Sequence, residues 1–114
     1  MPVALQLAFG DGAPLLERLA DAAVDAVGVD FYATALETPP IDYPKPVRAG
    51  VVDAASSLLE EPSELAAFAR ALRRRRPAAV TLTPNGDLLH VPEPIAHEKL
   101  RRLGVAAALL REAG

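Results

Sequence analysis

The stretch that decides the fold is AAVTLTPNGDLLHVPEP, Ala78 to Pro94. It opens as a short apolar run, Ala78 to Leu82, between Pro77 and Pro84. A short run of aliphatic and β-branched residues bounded by breakers reads as a buried parallel strand. It then breaks into Pro84-Asn85-Gly86-Asp87, a row of turn formers. In a parallel α/β sheet, a turn at the carboxyl end of a strand lies where ligands bind.

Working outward, the same strand–turn–helix rhythm recurs. Val3 to Phe9 reads as a first strand, followed by the turn Gly10-Asp11-Gly12. Asp11 is placed to cap the next helix, and Pro14 suits its first turn. Leu15, Leu16, Leu19, Ala22 and Ala23 keep the spacing of a helical stripe packed on a sheet. Ala26 to Tyr32 reads as a second strand and Val47 to Val52 as a third, ended by Asp53. Between them Pro39, Pro40, Pro44 and Pro46 exclude a regular helix, because each internal proline removes a donor and clashes with the preceding turn. At most one turn forms over Ala33 to Glu37. Pro62 opens a helix with Glu60, Glu61 and Glu64 at its positive end and Leu65, Phe68, Ala69 and Leu72 as its buried stripe. Arg73 to Arg76 end it and read as a solvated helix terminus rather than a phosphate patch. The last helix runs from about Ile95 to Ala113, with Leu100, Leu103, Ala107 and Leu110 facing inward and Gly104 either a weak spot or a close-packing contact.

Strands alternating with helices at this spacing give an α/β fold with a parallel sheet and right-handed crossovers. Four such units make one (βα)4 domain over residues 1–114, half of a TIM-type barrel with helices on the outer face. The length suits one small domain. With 51% apolar and 24% charged residues the chain is expected to fold, and its net charge of −3 does not favour nucleic acid or an anionic membrane. No apolar run reaches the length of a membrane span. The absence of cysteine and of a visible secretory signal fits a cytoplasmic location.

The polar residues at predicted strand ends are Gln6, Asp30, Asp53 and Asn85, with Asp87 and His90 close by. Gln6, Asp30, Asp53 and Asn85 are expected to line a polar pocket, the place where barrel enzymes bind substrate. Asp30 and Asp53, facing one another, could act as an acid/base pair; the plainer reading is that they accept bonds from loop amides and fix the turns. His90 reads as a packing histidine between apolar neighbours and is the third catalytic candidate. His97 falls on the polar side of the last helix. No spacing of His, Asp and Glu matches a metal motif, and no Gly-rich phosphate loop is present.

Three segments resemble the cobalamin-independent methionine synthase family: FGDGAPLLERLADAAVDAVGVDFY (Phe9 to Tyr32), AGVVDAASSLLEEPSELAAFARAL (Ala49 to Leu72) and LTPNGDLLHVPEP (Leu82 to Pro94). The resemblance implies the last four strands of one barrel in a family built from two, and the AGVVD and LLHVP segments look closer to its zinc-free N-terminal barrel. Where the family's zinc barrel carries its histidine and cysteine on the strand matching Val3 to Phe9, Gln6 and Ala8 stand here. Its glutamate ligand falls at Asp30, its second cysteine at Gly86 or a neighbour, and its proton-donating histidine at Ala55. The resemblance therefore implies neither zinc nor another cofactor. It leaves two expectations: a non-catalytic structural or ligand-binding module, or a methyltransferase-type enzyme for a folate or thiol amino acid whose site forms only on assembly. A half-barrel with two open edges is expected to pair, as a homodimer closing an eight-stranded barrel or with a second half-barrel chain. Its concave face is expected to bare aliphatic side chains.

Overall fold

A computed structural model describes residues 4–7 and 12–112. The elements run β1 (Ala4–Leu7), α1 (Ala13–Leu19), β2 (Ala26–Asp30), β3 (Pro46–Val52), α2 (Pro62–Arg73), β4 (Ala79–Pro84) and α3 (Glu93–Glu112). All four strands lie parallel in one sheet, in the order β1-β2-β3-β4. Each crossover therefore moves one strand in the same direction, which makes the α/β half-barrel that the sequence pattern calls for. Val3, Ala8, Phe9, the Asp11 cap and Ala113 lie outside the described residues; Gly12 stands at the N-cap of α1.

The register separates the two faces of the sheet, because side chains alternate along a strand. Val27, Val47 and Val80 share one row, and Val29, Ala49 and Leu82 the next. These rows join Leu16, Leu65, Ala66, Leu72, Leu103 and Ala106 in the main core, so they form the outer face, under the helices. Gly28, Arg48 and Thr81 make one row of the other face, and Asp30, Gly50 and Thr83 the next. Arg48 and Thr81 are exposed. The concave face is thus small and polar, which overturns the expectation of bared aliphatics. The strands look apolar throughout because Gly and Ala occupy inward positions, and a glycine contributes no apolar side chain.

Two helix stripes also differ from expectation. In α1 Leu16 is fully buried while Leu15 is exposed, and the helix ends before Ala22 and Ala23. In α3 the buried positions are Lys99, Leu103 and Ala106, while Leu100 is 52% exposed. The stripe starts one residue early because Lys99 lays its aliphatic stem along the core and finds a partner for its charge, so a lysine holds an inward position. Gly104 has nothing near where a Cβ would sit and is no close-packing contact.

The link between β2 and β3 is not helical, as its prolines dictate. Tyr43 takes the place a helix would fill. It is 1% exposed, belongs to the main core, and its hydroxyl donates to the Leu16 carbonyl at 2.7 Å. Burial pushes the Tyr43 phenol up from its ordinary pKa. The backbone of the link is pinned to the end of α2: Asp42 N–H donates to the Arg75 carbonyl at 2.8 Å and Ala78 N–H to the Tyr43 carbonyl at 3.0 Å. Both Asp42 and Arg76 take left-handed backbone angles, with φ 61° and 58°.

Candidate functional site

The carboxyl edge of the sheet is organised by an asparagine that reaches across a strand. Asn85 follows β4 and is buried. Its side-chain amide donates to Asp30 Oδ1 at 3.1 Å, and its Oδ1 accepts from Ala54 N–H at 2.8 Å. Asp30 ends β2 and Ala54 follows β3, so one residue ties the ends of β2, β3 and β4 together. Asn85 must pass over β3 to do so. Gly50 makes the passage: a Cβ there would lie 2.8 Å from the Val29 carbonyl oxygen and 2.9 Å from the Asn85 Cα, closer than real side chains tolerate. The register of β3 against β4 slips between Gly50 and Val52 at the same place, and Asn85 N–H donates to the Val52 carbonyl at 2.8 Å. A bulge that re-aims a side chain is a recurrent device at strand ends.

Asp30 Oδ1 also accepts from Tyr32 N–H at 2.9 Å, closing a turn two residues on. Asp53 does the same for its own loop, with Oδ1 accepting from Ala55 N–H at 2.9 Å. These are Asx-type turns, in which a carboxylate stands in for a backbone acceptor. Of the predicted pocket residues, Asp30 and Asn85 come into direct contact. Gln6 stands on β1 level with Gly28. Asp53 is oriented towards its own loop. His90 is exposed at the end of the short 3-10 turn Leu88–His90, where the Asp87 carboxylate accepts from the Leu89 N–H at 3.1 Å, and Leu89 itself is 82% exposed. That corrects the packing-histidine reading: the Pro84–Asp87 turn carries LLH outward instead of under α3.

Sequence reasoning missed the strongest electrostatic hub. Glu60 Oε2 accepts from Tyr32 O–H at 2.7 Å and from Asp53 N–H at 2.8 Å, while Lys99 Nζ reaches Oε1 at 3.0 Å and the Leu58 carbonyl at 2.6 Å. The Lys99 side chain is wholly buried. Burial alone would raise the Glu60 carboxyl, but the bonds from Asp53, Tyr32 and Lys99 outweigh it and hold the group below the usual carboxylate range. Tyr32 is pushed far above the ordinary phenol range by burial, by its bond to Glu60 and by the nearby carboxylate charge. Glu60 looked like one of several helix-start acids, and no spacing in the sequence links it to Lys99.

The arginines after α2 are not simply solvated. Arg75 Nη2 donates to the Glu37 and Pro39 carbonyls, both at or below 2.8 Å, and Arg76 pairs with Asp42 at 2.6 Å. Two of the four arginines hold the proline-rich link. Among the described residues, no three His, Asp or Glu side chains gather as a metal site would need. No described helix is long and apolar enough to cross a membrane.

No protein-family model matches the chain, and no curated protein matches it. Several solved structures do. One is a B12-independent methionine synthase from Shewanella sp. W3-18-1, solved in complex with selenomethionine, with a TM-score of 0.80 and 15% sequence identity. The match covers 98% of this chain and 39% of that one, so the chain spans less than half of its neighbour's length. At that identity the likeness is one of fold: four parallel strands with their helices, the half-barrel of a methionine synthase.

Proposed function

We propose that this chain is a zinc-free, non-catalytic half-barrel module that works by assembling with a second half. The observation that supports it is the use of the strand-end polar groups. The Oδ1 atoms of Asp30 and Asp53 serve loop amides, both polar atoms of the Asn85 side chain hold strand ends, and His90 stands apart in solvent. These are the contacts of a scaffold rather than of an acid/base pair. A homodimer is the simplest assembly. The free edge of β4 and the facing side of α3 leave an apolar groove of about 420 Å³, lined by Val80, Leu82, Leu103, Ala107 and Leu110. The other edge, β1, puts Leu5 in the outer-face row, level with Val27, and Leu5 is 39% exposed. A β1 strand from a second copy, laid parallel to β4, would present Leu5 to that groove, twice in a two-fold pair. The concave rows would then line a polar lumen, so the interface is apolar in its outer layer only.

Light scattering coupled to size exclusion tests the assembly. A species of twice the 12.0 kDa chain mass is expected at micromolar concentration. Leu5→Lys, at an exposed edge position, should return it to a folded monomer; a wild-type monomer would defeat the dimer. Metal analysis after purification without chelator should find well below one zinc per chain, and stoichiometric zinc would sink the zinc-free reading.

A second reading is a methyltransferase-type enzyme completed by the second half. It draws on Thr83, whose buried hydroxyl has no hydrogen-bond partner and which stands in the same row as Asp30. Methyl transfer from a folate to a thiol amino acid by the assembled protein, lost in Asp30→Asn with the assembly intact, would favour it.

A further inference from the structure

The missing helix between β2 and β3 leaves a second feature, on the outer side of the sheet and away from the concave face. Tyr43, in the main core, takes up part of the space such a helix would fill. A cavity of about 250 Å³ stays open, lined by Phe31, Tyr32, Val51, Leu65 and Phe68, with Glu60 and Glu64 among its walls. Phe31 and Phe68 stand with ring centroids 5.1 Å apart and planes tilted by 60°. Had an ordinary crossover helix covered this place, its side chains would have filled the gap, as the stripe of α2 fills the gap over β3 and β4.

The wall charges are unequal in their obligations. Glu60 is committed to Lys99, Tyr32 and Asp53. Glu61, next to it, lies 3.6 Å from the Arg102 guanidinium. Among the described residues, Glu64, which lines the cavity, has no ion-pair partner and is exposed. The positive end of α2 would favour an anion, but Glu60, Glu61 and Glu64 already crowd that end. An additional anion would meet their repulsion. A cation meets one free carboxylate and the negative faces of aromatic rings, which attract it.

We propose that this cavity binds a small primary or substituted amine with a compact apolar body, the body packed against Phe31, Phe68 and Leu65 and the ammonium at Glu64. The volume limits the ligand to fewer atoms than most pocket ligands, since sites for drug-sized molecules run from roughly 300 Å³ upward. Recognition is by charge and ring contact, so affinity for a simple probe falls in about the millimolar range. The site belongs to a single chain and does not depend on the dimer or on the concave face.

The test is a set of three probes of one shape, benzylamine, benzyl alcohol and benzoate, titrated into the wild-type protein at neutral pH and low salt while amide NMR shifts are followed. Benzylamine should move the amides of Phe31, Glu64, Leu65 and Phe68 and bind about ten times more tightly than benzyl alcohol, with benzoate weakest. Glu64→Gln, an exposed change that leaves the core alone, should bring benzylamine down to the level of benzyl alcohol. Equal binding of amine and alcohol, preference for benzoate, shifts mapping elsewhere, or an unchanged ratio in Glu64→Gln would each overturn the proposal. A Glu60→Gln/Lys99→Met double variant, which strands no buried charge, separates the two acids: the amine preference should persist there, because the Glu60 carboxylate serves Lys99 and not the ligand.

Discussion

The crossovers on either side of β3 do the same topological job with opposite means. From β3 to β4 the chain uses α2, twelve residues from Pro62 to Arg73, and buries Leu65, Ala66, Ala69 and Leu72 along one stripe. From β2 to β3 it uses a proline-rich link with no helix, buries Tyr43 and Pro39, and is fixed from outside by side chains that seize its carbonyls. Arg75 holds the Glu37 and Pro39 carbonyls from outside, and the link's own Lys45 reaches out to the Ala22 and Val24 carbonyls at 2.8 and 2.6 Å. A helix satisfies its own backbone internally and spreads its burial over many small contacts. A link of this kind leaves carbonyls to be met by others. It concentrates burial in one ring and leaves a cavity where helix side chains would have been.

That contrast can be broken most directly at Tyr43. Tyr43→Ala removes a fully buried ring and the bond to the Leu16 carbonyl, and should cost about 4 kcal/mol. Leu72→Ala, in the stripe of α2, should cost about 3 kcal/mol because its neighbours share the load. Denaturant melts of both variants decide the matter. A Tyr43 variant no worse than about 1 kcal/mol would mean that the link is merely draped over the sheet.

Next in size is the junction where both crossovers meet, Glu60. Its carboxyl is held below its ordinary pKa in the folded chain. A depressed carboxyl stabilises the fold fully above its unfolded pKa, and the contribution fades as pH falls through the folded value. Stability should therefore decline as the protein is acidified below about pH 4.5, the ordinary glutamate range. Replacing both charges of the buried pair, with Glu60→Gln and Lys99→Met together, should flatten that acid limb without stranding Lys99. An acid limb equally steep in the double variant would assign it to other carboxylates, among them Glu98, which Arg101 and Arg102 hold down to about 2.

Much of this contrast is legible in the sequence. The four prolines from Pro39 to Pro46 exclude the helix, and Pro62 with its acids announces α2. The parallel sheet follows from the alternation of runs and turns. What was hidden has physical causes in particular residues. Tyr43 sits among prolines and an exposed Ile41, and nothing in IDYP marks the tyrosine as the inward one. Lys99 occupies a core position because its charge meets Glu60, 39 residues away in sequence, a pairing that only the folded chain creates. The polarity of the concave face was hidden by glycine and alanine in inward rows. At the carboxyl edge, Asp30 and Asn85 could be named from the sequence as strand-end residues. Their contact could not, since it depends on the absence of a side chain at Gly50.

The smallest effect separates two arginines that look alike in sequence. Arg75 and Arg76 both reach the proline-rich link, but by different chemistry. Arg75 gives a charged donor to carbonyls of a link that cannot satisfy them itself. Losing it leaves those acceptors to water and frees the segment, so Arg75→Ala should cost about 1 kcal/mol. Arg76 makes a bidentate pair with Asp42, yet both side chains are mostly exposed. Water screens such a pair and its net worth is small. Arg76 also sits at φ 58°, a left-handed geometry that costs an ordinary residue energy and that glycine adopts freely. Arg76→Gly therefore removes an ion pair of little value and relieves backbone strain, against some added freedom in the unfolded chain. The melting temperature should stay unchanged or rise by a few degrees at most. A fall of more than about 5 °C would show that the ion pair, and not the arginine–carbonyl bonds, fastens the link to the end of α2.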